Sequence, residues 1–126
     1  MQSKLLTLLQ PDGQSRPHPP LSEEVIFRSP VKDYHGRADV AHIVSTIGNV
    51  LDRIDIEREL VADREVVTII TACHGGQPMD GVLHETFDAA GRVDRATLLL
   101  RPLSTLRRAI AGMVAALEQS PLPSQR

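Results

Sequence analysis

The stretch from Glu65 to Arg101 constrains the fold more than any other part of this chain. Its first segment, EVVTIITAC, is β-branched almost throughout and apolar on both faces, the pattern of a central strand covered on both sides. HGGQP supplies a turn, and GVLHETF returns as the next strand. Ala89, Ala90 and Gly91 then make a second tight turn before VDRATLLLR. Three consecutive strands joined by short turns predict an antiparallel meander. Ahead of it, IDIERELVA alternates: Ile54, Ile56, Arg58 and Leu60 share one side, and Asp55, Glu57 and Glu59 take the other. That pattern predicts a half-buried strand.

Helical spacing flanks the strands. After Gly36 and Arg37, residues Val40, Ile43, Val44, Ile47 and Leu51 recur along one helical face, and Asp39 suits the positive end of the helix dipole. After Pro102, residues Leu103, Leu106, Ile110, Met113, Val114 and Leu117 mark an amphipathic helix, with Ser104 expected as its N-cap. Val25, Ile26 and Phe27 form a short strand stopped by Pro30. Residues 1–20 are expected to be a short helix (KLLTLL) and a proline-rich tether, residues 21–119 the folded α+β domain, and residues 120–126 a disordered tail.

Composition narrows the function. With 126 residues and 41% apolar content the chain suits one core. Phe27, Phe87 and Tyr34 are its only aromatics, and its formal charge is -2. Few rings to stack bases and no basic excess argue against a nucleic-acid partner. No apolar run is long enough for a bilayer, and the N-terminus has no clear signal-peptide pattern. Cys73 is the single cysteine, so no intrachain disulfide forms, and a cytoplasmic location is expected.

A helix followed by a long meander, with SPVKDYHGRADV leading into the helix and FDAAGRV at a late turn, resembles the nuclear transport factor 2-like superfamily. That group includes ketosteroid isomerases and SnoaL-like polyketide cyclases. The resemblance runs from about Glu23 to Arg101, and LLLRPLSTL with its helix looks like a SnoaL-like subgroup carrying a C-terminal helix. It implies a cone-like α+β fold: a curved antiparallel sheet wrapped around a long helix, plus a C-terminal helix, enclosing a small apolar pocket. Members usually place two helices before the first strand to close the cone. Here only the Leu-rich segment is available, and the C-terminal helix is expected to share that role, in its own subunit or in a partner.

In ketosteroid isomerases a general-base Asp directly precedes the proline of the first strand, a position matched here by Ser29. An oxyanion-donating Asp lies four residues before the aromatic of the late turn, a position matched by Leu83. Neither replacement can do a carboxyl group's work, so that chemistry is not expected. If Leu83 points into the cone, Gly81, Glu85 and Phe87 do too, with Thr68, Ile70, Ala72, Ala96, Leu98 and Leu100 on the adjoining strands. Phe27, Ser29 and, near the rim, Tyr34 complete the expected ligand pocket. Glu85 is the odd carboxylate among aliphatics and the candidate catalytic proton acceptor. Alternatively it pairs with Arg37, Arg58 or Arg95, or it faces water if the register slips by one.

The remaining candidates read as structural. Cys73 and His74 are adjacent in a strand and face opposite ways. His84 is expected on the outer face, His42 on the polar side of the helix, His18 in the tether and His35 as a loop-fixing hydrogen-bonder. No histidine pair has metal-ligand spacing, and Gly75-Gly76 precedes a strand rather than a phosphate-binding helix. The chain is therefore expected to bind a small apolar molecule, with no cofactor or metal implied. The alternatives are an enzyme (cyclase, isomerase or hydrolase) using Glu85 with Tyr34 or Ser29, and a dimerisation module without ligand. A homodimer is expected through the convex sheet face, where Val67, Ile69, Thr71, Val82, His84, Thr97 and Leu99 make too apolar a surface for water.

Overall fold

A computed structural model describes residues 3, 5–9 and 20–126, with residues 7 and 8 described by backbone alone. The proposed tether, His18 included, lies outside them except for Pro20. The elements run α1 (Leu6–Leu9), β1 (Leu21–Arg28), β2 (Asp33–His35), α2 (Arg37–Val50), β3 (Arg53–Ala62), β4 (Glu65–His74), β5 (Gln77–Phe87), β6 (Val93–Arg101) and α3 (Leu103–Gln119). One six-stranded sheet has the order β2-β1-β6-β5-β4-β3.

Strands β3 to β6 form the antiparallel meander that the sequence predicts. Gly75 and Gly76 both adopt positive φ, at 56° and 77°, which lets β4 reverse into β5 within two residues. The sheet is not antiparallel throughout, because β1 pairs with β6 in parallel, Phe27 opposite Ala96. The three-residue β2 is too short for alternation to reveal; it pairs Tyr34 with Phe27.

Register shifts interrupt three strand pairings, and the one in β3 corrects the faces expected of that strand. In β3 the register shifts between Ile56 and Arg58. Ile54 and Ile56 lie opposite Ala72 and Ile70 on the concave face, but past the bulge Glu59 lies opposite Thr68 and Leu60 opposite Val67. Ile54, Ile56 and Leu60 therefore do not share one side: one extra residue inverts the phase, and Leu60 is 51% exposed. In β6 the extra residue is Asp94, between the pairs Phe87–Val93 and Thr86–Arg95.

The concave face holds the core. Phe27, Val66, Ile70, Leu83, Phe87, Ala96 and Leu98 are buried there beneath Val40, Ile43, Val44 and Ile47 of α2. Within one chain β4 is covered on that side alone; Val67, Ile69, Thr71 and Cys73 on its other side are half-buried. Helix α3 packs in cis against α2 and strands β4 to β6. A side chain at Gly112 would meet Val50 at 3.1 Å, so the two helices approach closely there. Ser104 is not the N-cap of α3: Pro102 occupies that position with extended backbone, and no side chain caps the helix.

The C-terminal segment, expected to be disordered, carries a 3-10 turn at Pro123–Gln125. Leu122 is buried, and Ser124 gives its backbone N–H and its hydroxyl to Asp39 on α2, at 3.0 and 2.5 Å. Leu122 and the two Ser124 hydrogen bonds together dock a stretch whose composition reads as a tail.

Candidate functional site

An apolar cavity lies between α2, α3 and the end of the sheet where β6 finishes. Ile43, Ile47, Val50 and Leu51 line it from α2 and the residue after it, and Leu98 and Leu100 from β6. Leu106, Ala109, Ile110, Met113, Val114 and Leu117 close it from α3. The turn after β1 supplies Ser29, Pro30 and Val31, and β2 supplies Tyr34. The space amounts to about 100 Å³ and its walls are almost wholly apolar. Val31 and Val114 are 60% and 53% exposed, which extends the apolar lining out to the surface.

Ser29 and Tyr34 bring different polar groups to this wall. The Ser29 hydroxyl is engaged in its own turn: it donates to the Lys32 carbonyl at 2.8 Å and accepts from the Val31 and Lys32 N–H groups, both at 3.1 Å. Its task is to shape the β1–β2 turn. Tyr34 is nearly buried, stacked on Phe27 with ring centroids 6.5 Å apart, and the Lys32 ammonium sits 5.1 Å above its ring. Burial pushes the phenol above its ordinary value of 10.0, so it stays a neutral donor.

Of the eleven residues expected to form the pocket, the structure brings Ser29, Tyr34, Leu98 and Leu100 to this cavity. Phe27, Thr68, Ile70, Ala72, Leu83, Glu85 and Ala96 share the concave face but are packed in the core, all but Ala72 exposing 1% or less of their surface. What packs the far end is the N-terminal segment. Leu5, Leu6 and Leu9 are buried, and Leu9 lies so close to α2 that a side chain at Gly48 would meet its carbonyl oxygen at 2.4 Å. Glu85 is fully buried, accepts the Leu5 N–H at 3.0 Å and also accepts the Ser3 hydroxyl. The arginines weighed as its partners go elsewhere: Arg37 donates to the Leu21 carbonyl at 3.0 Å, while Arg58 and Arg95 are exposed. The α3 side of the cavity was not foreseen as a wall. The spacing of its apolar residues revealed a buried stripe, but not what the stripe covers.

The histidines are dispersed. The His84 ring lies 2.9 Å from the Glu65 carboxylate on the convex face, and His42 contacts the Ser120 carbonyl at 2.8 Å. His74 contacts the Val50 carbonyl at 3.1 Å, and His35 is exposed in β2. Among the described residues no group of three or more His, Cys, Asp or Glu side chains is placed to hold a metal ion.

A curved sheet with its helices folded into the concave side defines a cone of the α+β class, and solved structures share it. A steroid delta-isomerase from Pseudomonas aeruginosa superposes with a TM-score of 0.75 at 29% identity, over 79% of this chain and 75% of that one. A protein with a cystatin-like fold from Silicibacter pomeroyi superposes with a TM-score of 0.76 at 22% identity, over 79% and 72%. A nuclear transport factor 2-like protein from Cytophaga hutchinsonii gives 0.62 at 12% identity, over 82% and 88%. These likenesses support the nuclear transport factor 2-like fold for this chain. No family model matches it, and no curated protein does.

Proposed function

We propose that this chain is a SnoaL-like domain that binds a small apolar molecule in the cavity between α2 and α3. The observation that carries this reading is a partly open space of about 100 Å³ walled by aliphatic side chains, with the Tyr34 phenol as its polar fixture. Concave, apolar sites with few polar groups are the usual form of a ligand pocket. The size favours a ligand of about one ring, since apolar cavities of roughly 150 Å³ accept benzene. The solved relative described as a steroid delta-isomerase supports the general idea of a small apolar ligand. Anything of several rings requires α3 to move. Phenol is a suitable probe, followed by ligand-observed NMR. Ala109→Leu, which fills the cavity from α3, is expected to abolish its binding. Phenol bound equally by both proteins, or by neither, overturns the reading.

The convex face supports a second proposal, a homodimer. Val67, Ile69, Val82 and Thr97 lie side by side there and are half-exposed, Leu99 is 60% exposed, and α1, α2 and α3 all lie on the opposite face. The Asp80–Arg101 ion pair and the Glu65–His84 contact stand beside the apolar centre. An apolar core with a polar rim suits a two-fold interface. In sedimentation equilibrium the wild-type protein is expected to be a dimer and Ile69→Lys a monomer. A monomeric wild type, or a dimeric variant, removes the interface.

A further inference from the structure

The α1 end of the cone carries polar groups that the cavity does not use. Glu59 and Glu85 face it from β3 and β5, and Thr68 on β4 is the direct cross-strand partner of Glu59 and diagonal to Glu85. The contacts that Ser3 and Leu5 make with these carboxylates all bring donors. The Ser3 N–H gives to Glu59 Oε1 at 3.0 Å, the Ser3 hydroxyl to Glu85 Oε1, and the Leu5 N–H to Glu85 Oε2 at 3.0 Å. Thr68 is completely buried on the same face, and among the described residues its Oγ1 has no hydrogen-bond partner. A hydroxyl left so is costly in a packed interior.

The N-terminal segment sits here as a ligand would. Donors meet the carboxylates at one end, leucine side chains fill the apolar space, and the Leu9 backbone rests on the bare face of Gly48. A four-residue helix such as α1 has no stability of its own, so its order comes from its seat. Segments of that kind open locally without unfolding the rest.

We propose that the α1 end is a second binding site, for an apolar amine, occupied in this structure by the chain's own Ser3 and Leu5–Leu9. The ligand class follows from the chemistry left when the segment leaves. The Glu59 and Glu85 oxygens accept hydrogen bonds from the segment, so a ligand that takes its place must donate. A cation meets the buried Glu85 and the half-buried Glu59 better than a neutral donor does, and an alkyl group replaces the leucines. The ligand and the segment compete for one space, so apparent affinity is set by the fraction of molecules whose segment is out.

Gly48→Ala tests this directly, because its methyl group takes the place of the Leu9 carbonyl while alanine suits α2 better than glycine. Hexylammonium is the probe, with hexanoate and hexanol as controls. The variant is expected to keep its circular dichroism and lose hydrogen-exchange protection at the Leu9 amide. It should bind hexylammonium about tenfold more tightly than wild type does. Adding Glu85→Gln to Gly48→Ala should remove that gain, and hexanoate should bind weakly throughout. Release of the segment without a gain in amine affinity overturns the proposal, as do hexanol or hexanoate binding as tightly as the amine. If Gly48→Ala fails to fold, the wild-type protein decides. Hexylammonium must then speed exchange at the Leu5 and Leu9 amides while hexanoate does not, and unchanged exchange overturns the proposal.

Discussion

The two ends of the cone interior are built on one sheet face and differ in what each lacks. At the α1 end Glu59, Thr68 and Glu85 are gathered, but Leu5, Leu6 and Leu9 fill the space. At the α3 end there is space, yet among the described residues Tyr34 is the sole titratable group on its wall. A catalytic pocket needs a proton-transferring group and room for a substrate in one place. This chain separates them, a consequence of closing the cone with a short N-terminal segment at one end and a long C-terminal helix at the other. On the proposed readings, binding at the α3 end would rest on shape and apolar contact, and polar recognition would belong to the α1 end.

The largest expected effect tests that asymmetry through packing. Leu83 is fully buried at the packed end, so Leu83→Ala should cost about 2–5 kcal/mol, the transfer and cavity terms together. Ala109→Leu adds volume where space already exists, and should raise stability by about 0.5–2 kcal/mol. Urea unfolding of both variants measures the difference. Equal destabilisation would mean that the α3 end is packed as tightly as the α1 end, and the contrast would collapse.

A smaller effect is expected at Tyr34. Removing its hydroxyl in Tyr34→Phe should weaken phenol binding by about 0.5–1.5 kcal/mol, one neutral hydrogen bond, while stability changes little. The pH dependence has a definite sign. Because burial raises the folded-state value above 10.0, the stabilising contribution is complete below that pH. It is lost as pH rises through the folded value, since the unfolded chain releases its proton first. Titration of the phenol by ultraviolet absorbance should give a midpoint above 10.0, and phenol binding should persist until that midpoint. A midpoint at or below 10.0 would put Tyr34 in water and take the polar fixture from the α3 end.

Which of these features the residues disclosed follows from the range of the forces involved. The meander was legible because alternation and short turns are local: EVVTIITAC and GVLHETF each specify their own faces, and Gly75-Gly76 specifies the reversal. The set around Leu83 and Glu85 is buried on the concave face, packed in the core rather than lining the cavity. The bulge at Glu57 was not legible, since nothing in RIDIERELVA distinguishes a regular strand from one with an extra residue. Nor was the division of the interior. Whether a pocket residue meets space or leucine depends on where Leu5 and Leu9 return, through contacts with Glu85 and Gly48 that lie far away along the chain. Gly48 alone carried a signal, an isolated glycine inside a helical pattern, which often marks close backbone approach.

The smallest expected effect lies on the rim of the α1 end, at the hairpin between β5 and β6. Asp88 Oδ1 accepts the Ala90 and Arg92 N–H groups, both at 2.9 Å, and Oδ2 accepts from Arg92 Nε at 3.2 Å. The Arg92 backbone N–H foremost, and then Ala90 and the Arg92 charge, hold the carboxyl below its ordinary value of 3.8, against a partial desolvation. The turn thus prefers the ionised form. Its contribution is present above 3.8 and is lost as pH falls through the folded value, because the unfolded chain takes up its proton first. The site is solvated, so screening keeps that contribution small. Asp88→Asn keeps an acceptor oxygen for the turn and removes the charge, and it should lower the melting temperature less than Leu83→Ala does. In the variant the stability loss between neutral pH and pH 3 should be slightly shallower than in wild type. A carboxyl-carbon NMR midpoint at or above 3.8 would show that the hairpin does not depend on the charge. A melting-temperature loss as large as that of Leu83→Ala would show that the α1 end is held from its rim rather than from its core.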